Sequence, residues 1–173
     1  MKQAKPKRHY VNNPDLYKAI VEYREKLAGN PEERVPNYIG VCIMQICERL
    51  STKPNFGGYT YRDEMVSDGI ENCIKAVKGF NPEKSNNPFA YFTQIAWNSF
   101  IRRITLEKQE TYVKHKNMMN SAIMGELMDP NNHGVKPNEF SDEIVRNFEE
   151  KVRLTKAKKS DKVNLEKFTE ETD

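Results

Sequence analysis

Hydrophobic positions recur along this chain every three or four residues, between short breaks rich in proline, glycine and asparagine. That spacing predicts an all-helical protein. Leu16, Ile20, Tyr23 and Leu27 form a first stripe, opened by Asn13-Pro14 and stopped by Gly29-Asn30-Pro31. A second follows Pro36-Asn37, where Ile39, Ile43, Ile46 and Leu50 line one side and Val41, Met44 and Cys47 widen it into a core element. Lys53-Pro54 and Gly57-Gly58 then break the pattern. Thr60 is placed to cap a third helix with Met65, Val66, Ile70, Cys73, Ile74 and Val77 inward, ended by Gly79 and Asn81-Pro82. A fourth opens at Asn87-Pro88, turns Phe92, Ala96, Phe100 and Ile104 inward, and continues past Glu110.

The rest of the chain is patterned differently. Asp129 to Ser141 is rich in Pro, Gly and Asn and reads as a linker. Ser141 is placed to cap a helix over 142–159, with Asp142 and Glu143 in its first turn and Lys156, Lys158 and Lys159 near its end, as the helix dipole favours. Its stripe of Ile144, Phe148 and Val152 is narrow and requires a partner surface. The expected organisation is therefore a flexible basic arm (1–13), a compact helical domain (14–128), a linker loop (129–141), an amphipathic helix (142–159) and a polar, acidic tail (160–173). The arm holds Lys2, Lys5, Lys7 and Arg8 and no acid.

With 37% hydrophobic and 31% charged residues in 173, the chain can build a modest helical core but not a large one. A net charge of +3 excludes a protein that is basic throughout, though not local basic patches. No uninterrupted apolar run is long enough for a membrane span, and no apolar stretch follows the cationic N-terminus as a secretory signal requires. Cys42, Cys47 and Cys73 sit within apolar helical patterns, as reduced buried thiols of a cytosolic protein would. His9, His115 and His133 lie far apart, and there is no HExxH, CxxC pair, P-loop or GxGxxG. The reading is of a protein that is not an enzyme and uses no metal or cofactor.

Two faces carry chemistry. On the fourth helix Tyr91, Gln94, Asn98 and Arg102 share a side distinct from the apolar one. A ring, two amides and a guanidinium can stack on bases, bond base edges and hold phosphate, yet the same spacing also serves an ordinary polar surface. The third helix carries Asp63, Glu64, Asp68 and Glu71 around its first two turns. A solvated acidic face is the plain explanation, and a docking face beside a base-reading one is the alternative.

The ordered string DGIENCIKAVKGFNPEKSNNPFAYFTQIAWNSFIRRI resembles region 2 of bacterial sigma factors: a Gly, a Phe eleven residues on, Asn-Pro, then Phe and Tyr opening an arginine-bearing helix. Gly69, Lys75, Ala76, Val77 and Phe80 fit the polymerase-binding helix, and Phe89, Phe92 and Arg102-Arg103 fit the next. With YVNNPDLYKAI near the start, the chain is most similar to the late-transcription sigma factors of T4-like bacteriophages, from Tyr10 to about Lys108. The resemblance implies an RNA polymerase sigma factor for phage late genes, acting in the cytoplasm of the infected bacterial host. Glu64, Asp68, Ile70, Glu71 and Ile74 would dock on the β′ clamp helices of the host's RNA polymerase core. Phe89, Tyr91 and Phe92 would stack on or support a flipped base of a minus-ten-like, AT-rich promoter element, and Gln94, Asn98, Arg102 and Arg103 would contact bases or phosphates.

The paired tryptophans of housekeeping sigma factors are replaced here by Ile95 and Ala96, with Trp97 one step on. No helix-turn-helix pair like region 4 follows Ile104, so contact with a minus-thirty-five element is not expected. The phage family also couples transcription to the DNA sliding clamp through a short hydrophobic C-terminal motif, and relies on a late-transcription coactivator. Leu165 and Phe168 are the residues that match the motif; a tail with two incidental apolar residues is the other reading. The functional alternative is a polymerase-binding helical adaptor, or transcription co-regulator, that never touches bases.

Overall fold

A computed structural model describes residues 10–128 and 139–170, with side chains for 10–121 and 139–157. Among the described residues the fold is all-helical. The helices are α1 (Asn13–Gly29), α2 (Asn37–Ser51), α3 (Arg62–Ala76), continued by a 3-10 turn at Val77–Gly79, α4 (Pro88–Met128) and α5 (Glu139–Glu170). The chain divides into two compact units, Met1–Ile104 and Thr105–Asp173. The boundary falls inside α4, within the 14–128 stretch whose hydrophobic pattern suggests one domain.

In the first unit the predicted stripes become the core. Leu16, Ile20 and Tyr23 of α1, Ile39, Ile43, Ile46 and Leu50 of α2, and Phe92, Ala96, Phe100 and Ile104 of α4 are all buried. Met65, Cys73 and Val77 are buried from the third stripe, whereas Val66, Ile70 and Ile74 are only partly covered at its edge. All three cysteines are free and buried. The expected widening of α2 holds for one of its three residues: Cys47 is buried, but Val41 and Met44 are 41% and 46% exposed. At about 100° per residue they point away from the Ile39–Leu50 line, so a helix packed on one side leaves them outside.

Local chemistry sets the helix ends. Asn87 caps α4 through Oδ1, which accepts from the Ala90 N–H at 3.0 Å. Thr60 does not cap α3: the helix starts at Arg62 after Tyr61, with no side-chain cap, and the Arg62 Nε donates to the buried Ser51 hydroxyl instead. The break after α2 also hides a core residue. Phe56 is buried with its ring edge-on to Trp97 and Phe100, at 4.8 and 5.1 Å between centroids.

In the second unit α5 starts earlier and runs further than the expected 142–159. Ser141 lies inside the helix rather than capping it. Its buried hydroxyl is 3.0 Å from His115 Nδ1 of α4, and that tertiary bond replaces the capping role. The narrow stripe finds its partner here, since Phe148 stacks on Tyr112 at 4.4 Å and 18°. No described helix is long and apolar enough to cross a membrane.

Candidate nucleic-acid interface

Helices α3 and α4 are joined so closely that the join decides which residues remain available. At its centre Gly69 has no side chain, and a Cβ built there would lie 2.7 Å from Phe100 Cε1. On one side Asn72 Nδ2 donates to the buried Ser99 hydroxyl at 2.9 Å. Arg103 grips Asp68 with two bonds, Nε to Oδ2 at 2.7 Å and Nη2 to Oδ1 at 3.2 Å. The Tyr91 hydroxyl donates to the Ala76 carbonyl at 3.2 Å, which satisfies an acceptor at the end of α3.

These bonds redistribute the expected sites. Asp68 and Arg103, one expected to face polymerase and the other DNA, face each other, with side chains 33% and 27% exposed. Phe92 is fully buried, so it supports the α4 surface from below and offers no ring to a base. Tyr91 is half-buried between Phe80 and Phe92, each 5.2 Å away edge-on, and burial raises its phenol above the usual range. It is a wall of the core rather than a free stacking platform.

What remains outward on α4 is a line of polar groups. Gln94 and Asn98 are exposed and paired, Nε2 to Oδ1 at 3.0 Å, leaving the Gln94 oxygen and the Asn98 amide nitrogen without a partner among the described residues. Arg102, one turn further, is exposed and in no ion pair among the described residues. At the start of the helix Phe89 is half-buried, its N–H held by Asn13 Oδ1 at 3.1 Å and its ring 5.8 Å from that of Tyr10. Beside them lies a hollow of about 470 Å³ lined by Tyr10, Asn12, Asn13, Asn87 and Phe89 among others. The Arg49 guanidinium lies 5.3 Å from the Tyr10 ring centre. Sequence spacing offers no reason to place Tyr10 or Arg49 there; Asn13 of α1, holding the first turn of α4, brings Tyr10 beside Phe89.

The outer face of α3 keeps fewer acids than expected. Glu64 and Glu71 are exposed, and the bond from Lys75, one turn on, holds the Glu71 carboxyl below its ordinary range. Ile70 and Ile74 are half-buried against the core edge. The side chains of Leu165 and Phe168 lie outside the described residues. Among the described residues no group of three His, Cys, Asp or Glu side chains could hold a metal ion. No protein-family model matches this chain, and no curated protein matches it.

The Asp68–Arg103 fork predicts a coupled pair. Asp68→Ala and Arg103→Ala should each cost about 1 kcal/mol in urea unfolding, and the double variant little more than either alone. Strict additivity would show that the two groups act separately.

Proposed function

We propose that this chain is a promoter-specificity subunit of the phage late sigma type. It docks on bacterial RNA polymerase core through the outer face of α3 and holds a minus-ten-like, AT-rich element against the outer edge of α4. The observation that carries the reading is the division of α4 into two faces. The Phe92–Ile104 side is sealed in the core, while Gln94, Asn98 and Arg102 stand exposed at i, i+4 and i+8 with uncommitted hydrogen-bonding atoms and a free positive charge.

The paired amides together offer an acceptor on Gln94 and a donor on Asn98, a combination that suits base edges, and a guanidinium outside any described ion pair suits a phosphate. Phe89, Tyr10 and the hollow beside them supply ring surface at the start of the same helix, where each stacked base would contribute ~1–3 kcal/mol. Glu64 and Glu71 supply the acidic half of a contact with a basic coiled coil. Two further partners belong to this reading on the resemblance alone: the DNA sliding clamp, through Leu165 and Phe168, and a late-transcription coactivator.

Run-off transcription with core polymerase on supercoiled AT-rich templates tests it. The full chain should direct initiation, and the variant carrying Gln94→Ala, Asn98→Ala and Arg102→Ala should lose promoter opening at least tenfold while still co-purifying with polymerase. An adaptor that never touches bases would transcribe equally well with the variant, and that result would reject base reading.

A further inference from the structure

The second unit buries very little of its own apolar surface. Among its described side chains Val145 is the one buried hydrophobic residue and Ser141 the one buried polar residue. Two helices side by side cover only the inner line of each, so an apolar stripe wider than that line needs a third element. Here the stripe is wider. Tyr112 stacks on one face of Phe148, yet Phe148 stays half-buried, and Val152 and Leu154 are exposed.

Two shallow hollows of about 310 and 430 Å³ meet at Phe148 and Val152, which line both. Four cations stand around this apolar floor: Lys108 and Lys151 beside the smaller hollow, Arg153 beside the larger, and Lys156 beside both. All four are exposed and in no ion pair among the described residues. The one acid lining the hollows, Glu149, is taken, accepting from Lys116 Nζ at 2.8 Å and from the Tyr112 hydroxyl at 3.0 Å. The Thr155 hydroxyl is taken as well, donating to the Lys151 carbonyl at 2.8 Å. An incoming group therefore meets an apolar floor ringed by unneutralised positive charge.

That combination selects the occupant. A DNA backbone would answer the charge but set hydrated phosphates over Phe148 and Val152. A second copy meeting this surface face to face would bring the same four cations against it. A helix with apolar residues down one side and carboxylates on its flanks answers both the floor and the rim. We propose that the α4–α5 groove is a docking site for an acidic amphipathic helix of a partner protein, seated on Phe148 and Val152 and flanked by Lys108, Lys151, Arg153 and Lys156. This goes beyond the promoter reading, whose α3 and α4 contact residues all belong to the first unit.

The test is fluorescence anisotropy of the full chain with two labelled peptides of one composition, built from leucine, glutamate and alanine. In the first the leucines recur at i, i+3, i+4 and i+7; in the second they are shuffled off that line. The striped peptide should bind, and the shuffled one about tenfold more weakly, because both carry the same charge and only the first has an apolar side. Val152→Ser should weaken the striped peptide about threefold or more, and Lys151→Ala with Lys156→Ala about tenfold, with a flatter dependence on salt. The two lysines are exposed helical positions where alanine favours the helix, so circular dichroism should be unchanged. Equal binding of the two peptides overturns the proposal, as does no binding of the striped one. So does a mixed-sequence DNA duplex that loses binding with the two lysines while the striped peptide does not. Sedimentation showing a dimer that Val152→Ser dissociates would assign the groove to a second copy, and overturn it too. Failure here leaves the run-off prediction standing, and failure of the run-off prediction leaves this groove standing.

Discussion

Replacing Gly69 with alanine should lower stability by ~1–3 kcal/mol, although alanine is the better helix former by about 1 kcal/mol. The loss comes from crowding, because the added Cβ would stand 2.7 Å from Phe100 Cε1 and 3.3 Å from Cys47 Sγ. Phe100 is fully buried and edge-on to Phe56, so its ring cannot swing away without disturbing a second ring. Phe100→Ala alone should cost ~3–5 kcal/mol through lost burial and the cavity left behind. In that background the sign for Gly69→Ala should reverse. With the ring gone, only the thiol has to give by a few tenths of an ångström, and the helix preference for alanine then dominates. Urea unfolding of the two single variants and the double one measures this, and a cost for Gly69→Ala that is the same in both backgrounds would reject the close contact as its cause.

The same residues show how far the sequence could be read. A period of 3.6 identifies a helix and its inner line, which is why Ile39–Leu50 and Phe92–Ile104 are buried as expected. Periodicity is weaker at the border of a face. Tyr91 sits at such a border, and what covers it depends on the neighbouring helix: Phe80 and the α3 end cover it, while Val41 and Met44 lie off the buried line of α2 and no described residue buries them. Pairings across the chain were not legible at all. Asp68 and Arg103 lie 35 positions apart, and each alone looks like a surface charge awaiting a partner. Ser141 shows the same limit at a helix end. A serine before two acids has the composition of a cap, and only the packing of α5 on α4 reveals that His115 claims it.

That distinction between supporting and contacting residues yields the sharpest test of the α4 surface. Phe92→Ala should cost ~3–5 kcal/mol, because the ring is fully buried and packs edge-on to Tyr91, whose hydroxyl holds the end of α3. Its loss of function would then follow the unfolded fraction. Phe92→Leu separates the roles, since leucine keeps apolar bulk in the core but has no π face. Repacking should hold the cost of this change to ~1–2 kcal/mol, and promoter opening should survive at temperatures where the chain stays folded. Were the Phe92 ring itself stacked on a base, Phe92→Leu would abolish opening in a folded protein. The Gln94, Asn98 and Arg102 variant should behave in the opposite way, unfolding within about 0.5 kcal/mol of the parent, as exposed substitutions do, yet failing to open DNA. The two variants together therefore separate a weakened core from a lost contact surface, because each is expected to change only one of the two measurements.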